Sequence, residues 1–203
     1  MIKVIFLSFA ILCVVPVVGL SQATFTSKIW AFSMQEPKAW LSMGKAERSE
    51  NIDKLDMSDQ ALALMNKSNT GFVFVTGYQK YDPKEREGLI PGIQVQARKI
   101  APMTFTVFKQ QIANSWAGMD KIFQDFKLIA YSEVMVSGYK GVKSIFTFTV
   151  PTKDGQILKA RSTVYAIPRS NYFFQINFND GADKENDCTA EFDALVKTIS
   201  ITR

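Results

Sequence analysis

The amino-acid sequence predicts an α+β domain with a mainly antiparallel sheet, and two patterns support this class. The first is a pair of strand-like segments, 158–167 and 172–179, that meet at a cluster of turn residues over 168–171. In the second segment apolar and polar residues alternate with the period of two that marks a half-buried strand. The second pattern is a helical stripe of apolar residues near the C terminus, which predicts a helix packed on this hairpin.

The chain opens with the regions of a secretory signal peptide. A lysine precedes an apolar run over 4–20, and Ser21-Gln22-Ala23 places small residues at the cleavage positions. We therefore expect cleavage between Ala23 and Thr24, a mature single domain over 24–203, and a location in the periplasm or outside the cell. The alternative is an uncleaved membrane anchor, because the apolar run is nearly long enough to span a bilayer. After cleavage we expect no integral membrane span.

The composition excludes several function classes. The chain has no histidine and two cysteines, of which only Cys188 remains in the expected mature protein. Histidine-dependent catalysis, a histidine or thiolate metal site and an internal disulfide are therefore excluded. The net charge of +5 is a mild excess, without the dense basic stripe that nucleic-acid binding requires. No glycine-rich phosphate loop is present, and we predict no cofactor.

The first half of the domain contains four predicted segments. Residues 29–34 alternate and predict a first strand, which ends before Pro37 because proline cannot donate to a strand ladder. The charged residues 44–54 predict a surface loop. A short helix is predicted over 58–65, with Ser58 as its N-cap. The aromatic run 71–78 is apolar on both faces, which predicts a strand in the centre of the sheet.

The next segments predict a helix among several strands. Residues 93–98 alternate and predict a half-buried strand. The helix after it has an apolar stripe that faces the sheet, formed by Phe105, Phe108, Ile112 and Trp116. Segments 128–136 and 142–150 predict two further strands. Asp154-Gly155 predicts a tight hairpin turn, because glycine tolerates the positive φ that such a turn requires.

The last helix begins near a group of acidic residues. Its apolar stripe consists of Cys188, Phe192, Leu195, Val196 and Ile199, and a short strand over 198–201 follows. The place of Cys188 on this stripe predicts a buried, inert thiol rather than a nucleophile. The acidic residues are Asp180, Asp183, Glu185 and Asp187. They predict helix capping and no metal site, because a calcium loop would also need a glycine and a distal glutamate.

Candidate contact residues lie on the hairpin and after the first strand. Lys159, Arg161 and Tyr165 occupy alternate positions of the first hairpin strand, and Gln175 belongs to the second. We predict that they form an outer face that contacts a protein partner or an anionic ligand, and the alternative is a solvated sheet face. Trp40 follows a proline turn and is the tryptophan assigned to ligand contact. The other aromatic residues are assigned to the core.

The order of these elements resembles the PsbP-like family. The matching residues are Pro37-x-x-Trp40, Gly138-Tyr139-Lys140-Gly141, the hairpin from Tyr165 to Ile176, and the segment from Glu191 to Ile199. The resemblance covers nearly all of the mature chain and implies an α/β/α sandwich, with helices on both faces of a mainly antiparallel sheet. The family includes the photosystem II subunit PsbP, a Ran-binding import factor and many exported bacterial proteins, which implies an accessory or binding role. None of these motifs is catalytic, so no functional residue is carried over.

The sequence thus predicts a non-catalytic exported accessory protein of the bacterial envelope that binds a protein partner. One alternative is a carrier of a small ligand or lipid, with a pocket between the sheet and the helix at 105–116 that reaches the surface near Trp40. A second alternative is a carboxylate-based hydrolase. Such an enzyme needs a cleft that holds two acids and raises the pKa of one of them.

Overall fold

The computed structural model describes residues 22–44, 56–60, 63–64, 70–86, 88–183 and 186–202. The predicted signal peptide lies almost wholly outside these ranges, as does the predicted loop after Gly44, so both stay predictions. The predicted helix over 58–65 is described in part, and residues 59–60 and 63–64 are helical. Within the described ranges no helix is both long enough and apolar enough to cross a membrane.

The described elements follow the predicted order, apart from additional short strands in the N-terminal part of the domain. The strands are β1 (Thr24–Ser27), β2 (Phe32–Gln35), β3 (Leu41–Ser42), β4 (Phe72–Gln79), β5 (Gly92–Lys99), β6 (Gln124–Val136), β7 (Tyr139–Pro151), β8 (Ile157–Pro168), β9 (Tyr172–Gly181) and β10 (Ser200–Ile201). The α-helices are α1 (Phe105–Ser115) and α2 (Thr189–Val196), and a 3-10 helix (Met119–Lys121) follows α1.

The main sheet has seven strands in the order β3-β4-β5-β9-β8-β7-β6. All neighbouring strands in it are antiparallel. The predicted hairpin forms β8 and β9 near the middle, with Tyr165 opposite Ile176. Helix α1 packs on one face of the sheet and α2 on the other. The prediction of a mainly antiparallel sheet with helices on both faces is therefore confirmed.

The two faces of the sheet carry separate cores, because neighbouring residues of a strand point to opposite sides. Phe174 on β9 is buried on the α2 side together with Phe192 of α2. Its neighbour Phe173 is buried on the α1 side together with Phe108 and Ile112 of α1. Burying a large apolar side chain stabilises the fold by about 1.5–3 kcal/mol, so both helices are held mainly by these stripes.

The N-terminal segment forms a hairpin, and the prediction of a single strand over 29–34 is wrong. Strands β1 and β2 pair on either side of a turn in which the Ala31 N–H donates to the Lys28 carbonyl. Ala31 has a φ of 47°, a left-handed conformation that an extended strand does not contain. The alternation was misleading because its first residues lie in this turn, where Ile29 is 90% exposed.

The hairpin joins the C terminus in a second, smaller sheet of order β1-β2-β10. A hydrogen bond connects this sheet to the main one, since the Ile201 N–H donates to the Ser137 hydroxyl at 2.8 Å. Ser137 lies in the β6–β7 turn, where it and Gly138 both have positive φ angles of 50° and 77°. Two such residues in succession are typical of the tight turns that join antiparallel strands.

Strand β4 lies next to the edge of the main sheet, and the prediction of a central place for 71–78 is wrong. The edge strand β3 pairs only with Tyr78 and Gln79, at the end of β4. The aromatic character of β4 has another cause, because Phe72 packs on Phe173 with ring centroids 5.6 Å apart. Its ring therefore extends the core beside α1.

Gly141 lies where β7 and β8 come too close for a side chain. An alanine Cβ there would be 2.9 Å from the Ala166 carbonyl oxygen. We expect Gly141→Ala to lower the free energy of unfolding by about 1–3 kcal/mol, as overpacking does elsewhere. Urea denaturation measures the change. The control is Gly92→Ala, in a strand glycine whose nearest such atom is 3.6 Å away. Equal losses in both variants would contradict the steric explanation.

Candidate functional site: a cleft beside helix α1

Helix α1 is fixed at both ends by side-chain hydrogen bonds. At its start the Thr104 hydroxyl accepts a hydrogen bond from a backbone N–H of the first turn at 3.4 Å. After its end the indole Nε1 of Trp116 donates to the Ser144 hydroxyl of β7 at 3.0 Å. Between these points Phe108 and Ile112 are buried against the sheet. The helix therefore has a defined position over one part of the sheet.

An open cleft of about 880 Å³ lies beside α1 on the same face of the sheet. Both apolar and polar residues of the sheet line the cleft. Along β9 the lining changes from the apolar Phe173, which also packs under α1, to the polar Gln175, Asn177 and Asn179. Ser162 of β8 lies in the same polar surface, opposite Asn179. We call these four polar residues the amide floor.

The amide floor is uncharged, and its own hydrogen bonds use only part of its donor and acceptor groups. Gln175 Nε2 donates to Asn177 Oδ1 at 3.0 Å, and the Ser162 hydroxyl donates to Asn179 Oδ1 at 2.7 Å. These two are the only hydrogen bonds that the side chains of the floor form with other described residues. An amide side chain offers two donor hydrogens and an oxygen with two lone pairs. Most of this capacity is therefore left for water or a ligand.

One wall of the cleft is aromatic and is formed by Trp116, Phe123, Phe146 and Phe148. Ring centroids lie 5.1 Å apart between Trp116 and Phe146, and 4.3 Å apart between Phe123 and Phe148. Phe146 and Phe148 are 6.1 Å apart and connect the two pairs. We call this set the aromatic wall. Because each ring packs on the next, the wall presents a continuous apolar surface.

The edge of the cleft carries positive charge. Arg98, Lys99 and Lys121 line it and are exposed, and we call them the cationic rim. The Arg98 guanidinium lies 5.2 Å from the centroid of the Phe72 ring. The described lining includes no aspartate or glutamate, and none of the three cations forms an ion pair with another described residue. This excess of positive charge in the described lining favours an anionic group.

The hairpin residues predicted to share an outer face lie on two faces, so that prediction is wrong. Tyr165 is only 5% exposed and belongs to the α2-side core. Gln175 lies opposite Ala166 and lines the cleft on the other face. Lys159 is exposed on the α2 side, and its contact role stays a prediction. Alternation identifies residues that share a face but does not say which face is covered.

Arg161 is bound by two carboxylates, Asp180 near the end of β9 and Asp187 just before α2. Its Nε donates to Asp180 at 3.0 Å, and its Nη2 lies 2.5 Å from Asp180 and 2.6 Å from Asp187. The Cys188 backbone N–H also donates to Asp180, at 2.8 Å. The guanidinium therefore joins β8, β9 and the start of α2, and we call this network the arginine clamp. These contacts leave Arg161 little capacity for a partner.

The pKa values of the two acids in the arginine clamp are shifted in opposite directions. Burial raises the pKa of the Asp180 carboxyl, and Arg161 opposes this shift. The same guanidinium holds the pKa of Asp187 far below its usual range. Two acids with divergent pKa values are one requirement of a hydrolase. However, Asp180 is only 1% exposed, and both carboxylates are bound by Arg161, so burial and the guanidinium account for the two pKa shifts.

The other acids of this region have local roles or lie outside the described residues. Asp183 accepts a hydrogen bond from the backbone N–H of Asn186 at 3.0 Å, which stabilises a turn before α2. Glu185 lies outside the described ranges. Among the residues that the structure describes, no cluster of three or more acids and cysteines has the geometry to hold a metal ion.

The charge of Asp187 should contribute a pH-dependent part of the stability. Its pKa is lower in the folded protein than in the unfolded chain, so its contribution is complete above about pH 5 and is lost progressively below the unfolded value of about 3.9. We expect Asp187→Asn to lower the thermal midpoint slightly at about pH 7 and by a smaller amount at about pH 2, where part of the contribution has been lost. Asparagine can still accept the Thr189 N–H hydrogen bond. Asp120→Asn is the control, and a difference that does not shrink in acid would contradict the assignment.

Trp40 packs against α2, on the face opposite the cleft. Its Nε1 donates to Glu191 at 3.0 Å, and its ring lies 6.0 Å from that of Phe192. The described cleft therefore does not reach the surface near Trp40, a route that would have favoured the ligand-carrier alternative. The half-buried ring contributes to attaching the segment after β2 to the helix. Its contact with a ligand stays a prediction.

Cys188 is buried directly before α2, as its place on the apolar stripe predicted. Burial raises the pKa of its thiol, and the Lys80 ammonium opposes that shift from 3.3 Å. The same ammonium lies 2.6 Å from the Glu191 carboxylate. The thiol is therefore part of the packing of α2 and is largely shielded from solvent.

The sequence-based reasoning missed the amide floor, although a signal for it was present. Among the polar positions of the alternating segments 93–98 and 172–179, Gln175 alone was predicted to contact a partner or ligand, and the others were interpreted as the polar side of half-buried strands. These positions are Gln94, Gln96, Arg98, Gln175, Asn177 and Asn179. A solvated sheet face usually contains lysine and glutamate, whereas five of these six positions carry an uncharged amide. That restriction distinguishes them from the charged outer positions elsewhere in the chain.

Comparisons with known proteins identify the fold. A search against models of protein families gives no match, and a search of curated proteins gives none. The structure is similar to cyanobacterial PsbP from Synechocystis, with a TM-score of 0.52, 12% identity, and coverage of 94% of this chain and 99% of that protein. It is also similar to LpqN of Mycobacterium tuberculosis, described as involved in cell envelope biogenesis, with a TM-score of 0.50, 13% identity, and coverage of 92% and 88%.

A third similar structure is a longer protein from Bacteroides thetaiotaomicron. Its TM-score is 0.50 with 12% identity, and the match covers 89% of this chain. The chain spans about half of that protein, since the match covers 48% of it. At these identities the similarity concerns the fold alone. The protein has a PsbP-like fold, and the resemblance seen in the sequence is confirmed at that level.

Proposed function

We propose that the protein is an exported, non-catalytic binding protein of the bacterial envelope that holds its ligand in the cleft beside α1. The observation that carries this proposal is the combination, in one cleft, of an amide floor, an aromatic wall and a cationic rim. Its volume of about 880 Å³ falls within the range of about 300–1,000 Å³ that is typical of small-molecule sites. This cleft replaces the hairpin face as the place of ligand contact.

The lining of the cleft supports binding rather than catalysis. No carboxylate, cysteine or histidine is among the described lining residues. Ser115 and Ser162 supply the hydroxyl groups of the described lining. The Ser115 hydroxyl donates to the Ile112 carbonyl oxygen, and the Ser162 hydroxyl donates to Asn179 Oδ1. A serine nucleophile needs a neighbouring base that accepts its proton. Neither serine has such a base in the described lining.

The assignment to the envelope rests on the N-terminal sequence and on the comparison with LpqN. The apolar run over 4–20 and the small residues before Thr24 support export. LpqN is described as involved in cell envelope biogenesis, and the shared fold supports a related setting for this protein. A role as an accessory factor agrees with a site that binds and does not react.

The proposal is tested with 8-anilinonaphthalene-1-sulfonate, an anionic aromatic probe whose fluorescence rises in apolar sites. We expect saturable binding to the mature protein, weakened by about tenfold in Gln175→Trp because the indole fills the cleft. The matched control is Lys159→Trp, which places the same side chain on an exposed position of the opposite face. Equal binding by the two variants, or no binding to the wild type, would contradict the proposal.

A further inference from the structure

We infer that the ligand of the cleft is an acidic saccharide, meaning a chain of sugar rings that carries carboxylate or phosphate groups. This inference rests on the proposed function of the cleft as a binding site and specifies its ligand class. Three properties of the cleft lead to it: the hydrogen-bonding capacity of the floor, the apolar surface of the wall and the charge of the rim.

The amide floor matches the hydroxyl groups of a sugar. Each hydroxyl can donate one hydrogen bond and accept others, and an amide side chain can do both. Asn177 and Asn179 each accept a single described side-chain hydrogen bond, so their NH₂ groups are left for a ligand. A lipid chain lying on this floor would cover these groups without pairing them, which is unfavourable. The floor therefore favours a ligand rich in hydroxyls over an acyl chain.

The aromatic wall matches the apolar face of a sugar ring. The C–H groups on one face of a pyranose have a small positive charge, and the face of an aromatic ring has a negative one. Trp116 and Phe123 lie at the wall next to the turn after α1. A sugar ring can therefore stack on the wall while its edge hydroxyls reach the floor.

The cationic rim selects for acidic substituents on the saccharide. Arg98 belongs to β5, and Lys121 follows α1 in the 3-10 helix. Arginine can donate two parallel hydrogen bonds to a carboxylate or phosphate, and lysine acts as a point charge. No described acid of the lining competes for these groups. With three cations, the rim is too sparse to neutralise every phosphate of a nucleic-acid strand, which argues against an oligonucleotide.

The test uses calorimetric titration of the mature protein with defined probes at low and high salt. The probes are a galacturonic acid hexamer, the uncharged cellohexaose, vesicles of phosphatidylglycerol, and a thymidine oligonucleotide. We expect the galacturonate hexamer to bind best and to weaken as salt increases, because the rim charges are screened. Cellohexaose should bind more weakly and with little dependence on salt.

Two variants separate the rim from the floor. Lys121→Gln should weaken binding of the galacturonate hexamer by about tenfold and leave cellohexaose binding unchanged, because it removes only charge. Asn177→Leu should weaken both saccharides, since it removes the floor amide and keeps the side-chain size. Lys159→Gln, on the opposite face, is the matched control and should change neither. Lys121 is exposed, so its variant should fold even if Asn177→Leu does not.

The outcomes distinguish the ligand class from the proposed function. Tighter binding of the vesicles or the oligonucleotide than of the galacturonate hexamer would overturn the saccharide assignment. Binding of the anilinonaphthalene probe that Gln175→Trp weakens, without binding of either saccharide, would overturn the ligand class and leave the proposed function standing. Absence of both kinds of binding would overturn both. An unchanged affinity for the hexamer in Lys121→Gln would overturn the role of the rim.

Discussion

Arg161→Met should lower the free energy of unfolding by about 3–5 kcal/mol, which is the usual loss when one partner of a buried ion pair is removed. Asp180 is 1% exposed, and the Arg161 side chain is 22% exposed, so solvent screens this pair little. Without the guanidinium, Asp180 keeps only the Cys188 N–H among its described partners. The carboxyl must then remain charged in a buried site or take up a proton. Urea denaturation at about pH 7 measures the loss.

Two further variants show whether the arginine clamp is the cause of this loss. Lys159→Met also replaces a cationic side chain with methionine, two residues away on β8 at an exposed position. It should lower the free energy of unfolding by less than about 0.5 kcal/mol. The double variant Arg161→Met with Asp180→Asn should recover part of the loss, because the buried charge is gone. Additive effects of the two substitutions would show that Asp180 is not the reason for the loss.

Phe174→Ala should destabilise the protein by about 3–5 kcal/mol, as truncation of a buried phenylalanine does in other cores. Phe174 is 0% exposed. Its ring lies 5.1 Å from that of Phe32 and 5.3 Å from that of Tyr172. The substitution therefore leaves a cavity where the small sheet packs on the main one. Urea denaturation measures the loss, and the slope with urea should stay unchanged.

The controls for this prediction vary the size and the burial of the deleted side chain. Phe174→Leu keeps most of the volume and should cost less than the alanine substitution. Ile157→Ala removes an apolar side chain that is 67% exposed, and its effect should stay within about 0.5 kcal/mol. If Phe174→Ala cost no more than Ile157→Ala, the ring would not be part of the core as the structure describes it.

Much of the fold could be predicted from the sequence because its strongest patterns coincide with burial. The alternation of β9 and the stripe of α2 each match a single buried surface, so their elements and packing were predicted correctly. The N-terminal hairpin was missed because the positive φ of Ala31 depends on pairing between β1 and β2. An alanine that adopts a positive φ in a turn gives no local sequence signal, whereas a glycine at such a position would.

The candidate site could not be predicted in the same way, because it depends on how elements are placed. The sequence shows that Gln175 and Asn177 share a face of β9. It does not show that α1 ends at Ser115 and leaves this part of the sheet uncovered. Arg161 was assigned to an outer surface because its acidic partners are 19 and 26 positions away along the chain. Only the folded arrangement of β8, β9 and α2 brings them together.

The separation of the two sheet faces has a consequence for how new binding properties could arise in this scaffold. The arginine clamp and the ring of Phe174 lie on the α2 side, whereas the amide floor lies on the α1 side of the same strands. Residues that set ligand preference therefore alternate along β9 with residues that hold the domain together. Laboratory selection that randomises Gln175, Asn177 and Asn179 can explore new specificities while every intervening core residue stays constant. The scaffold therefore allows the residues of one face to be varied while the core that stabilises the domain on the other face is kept.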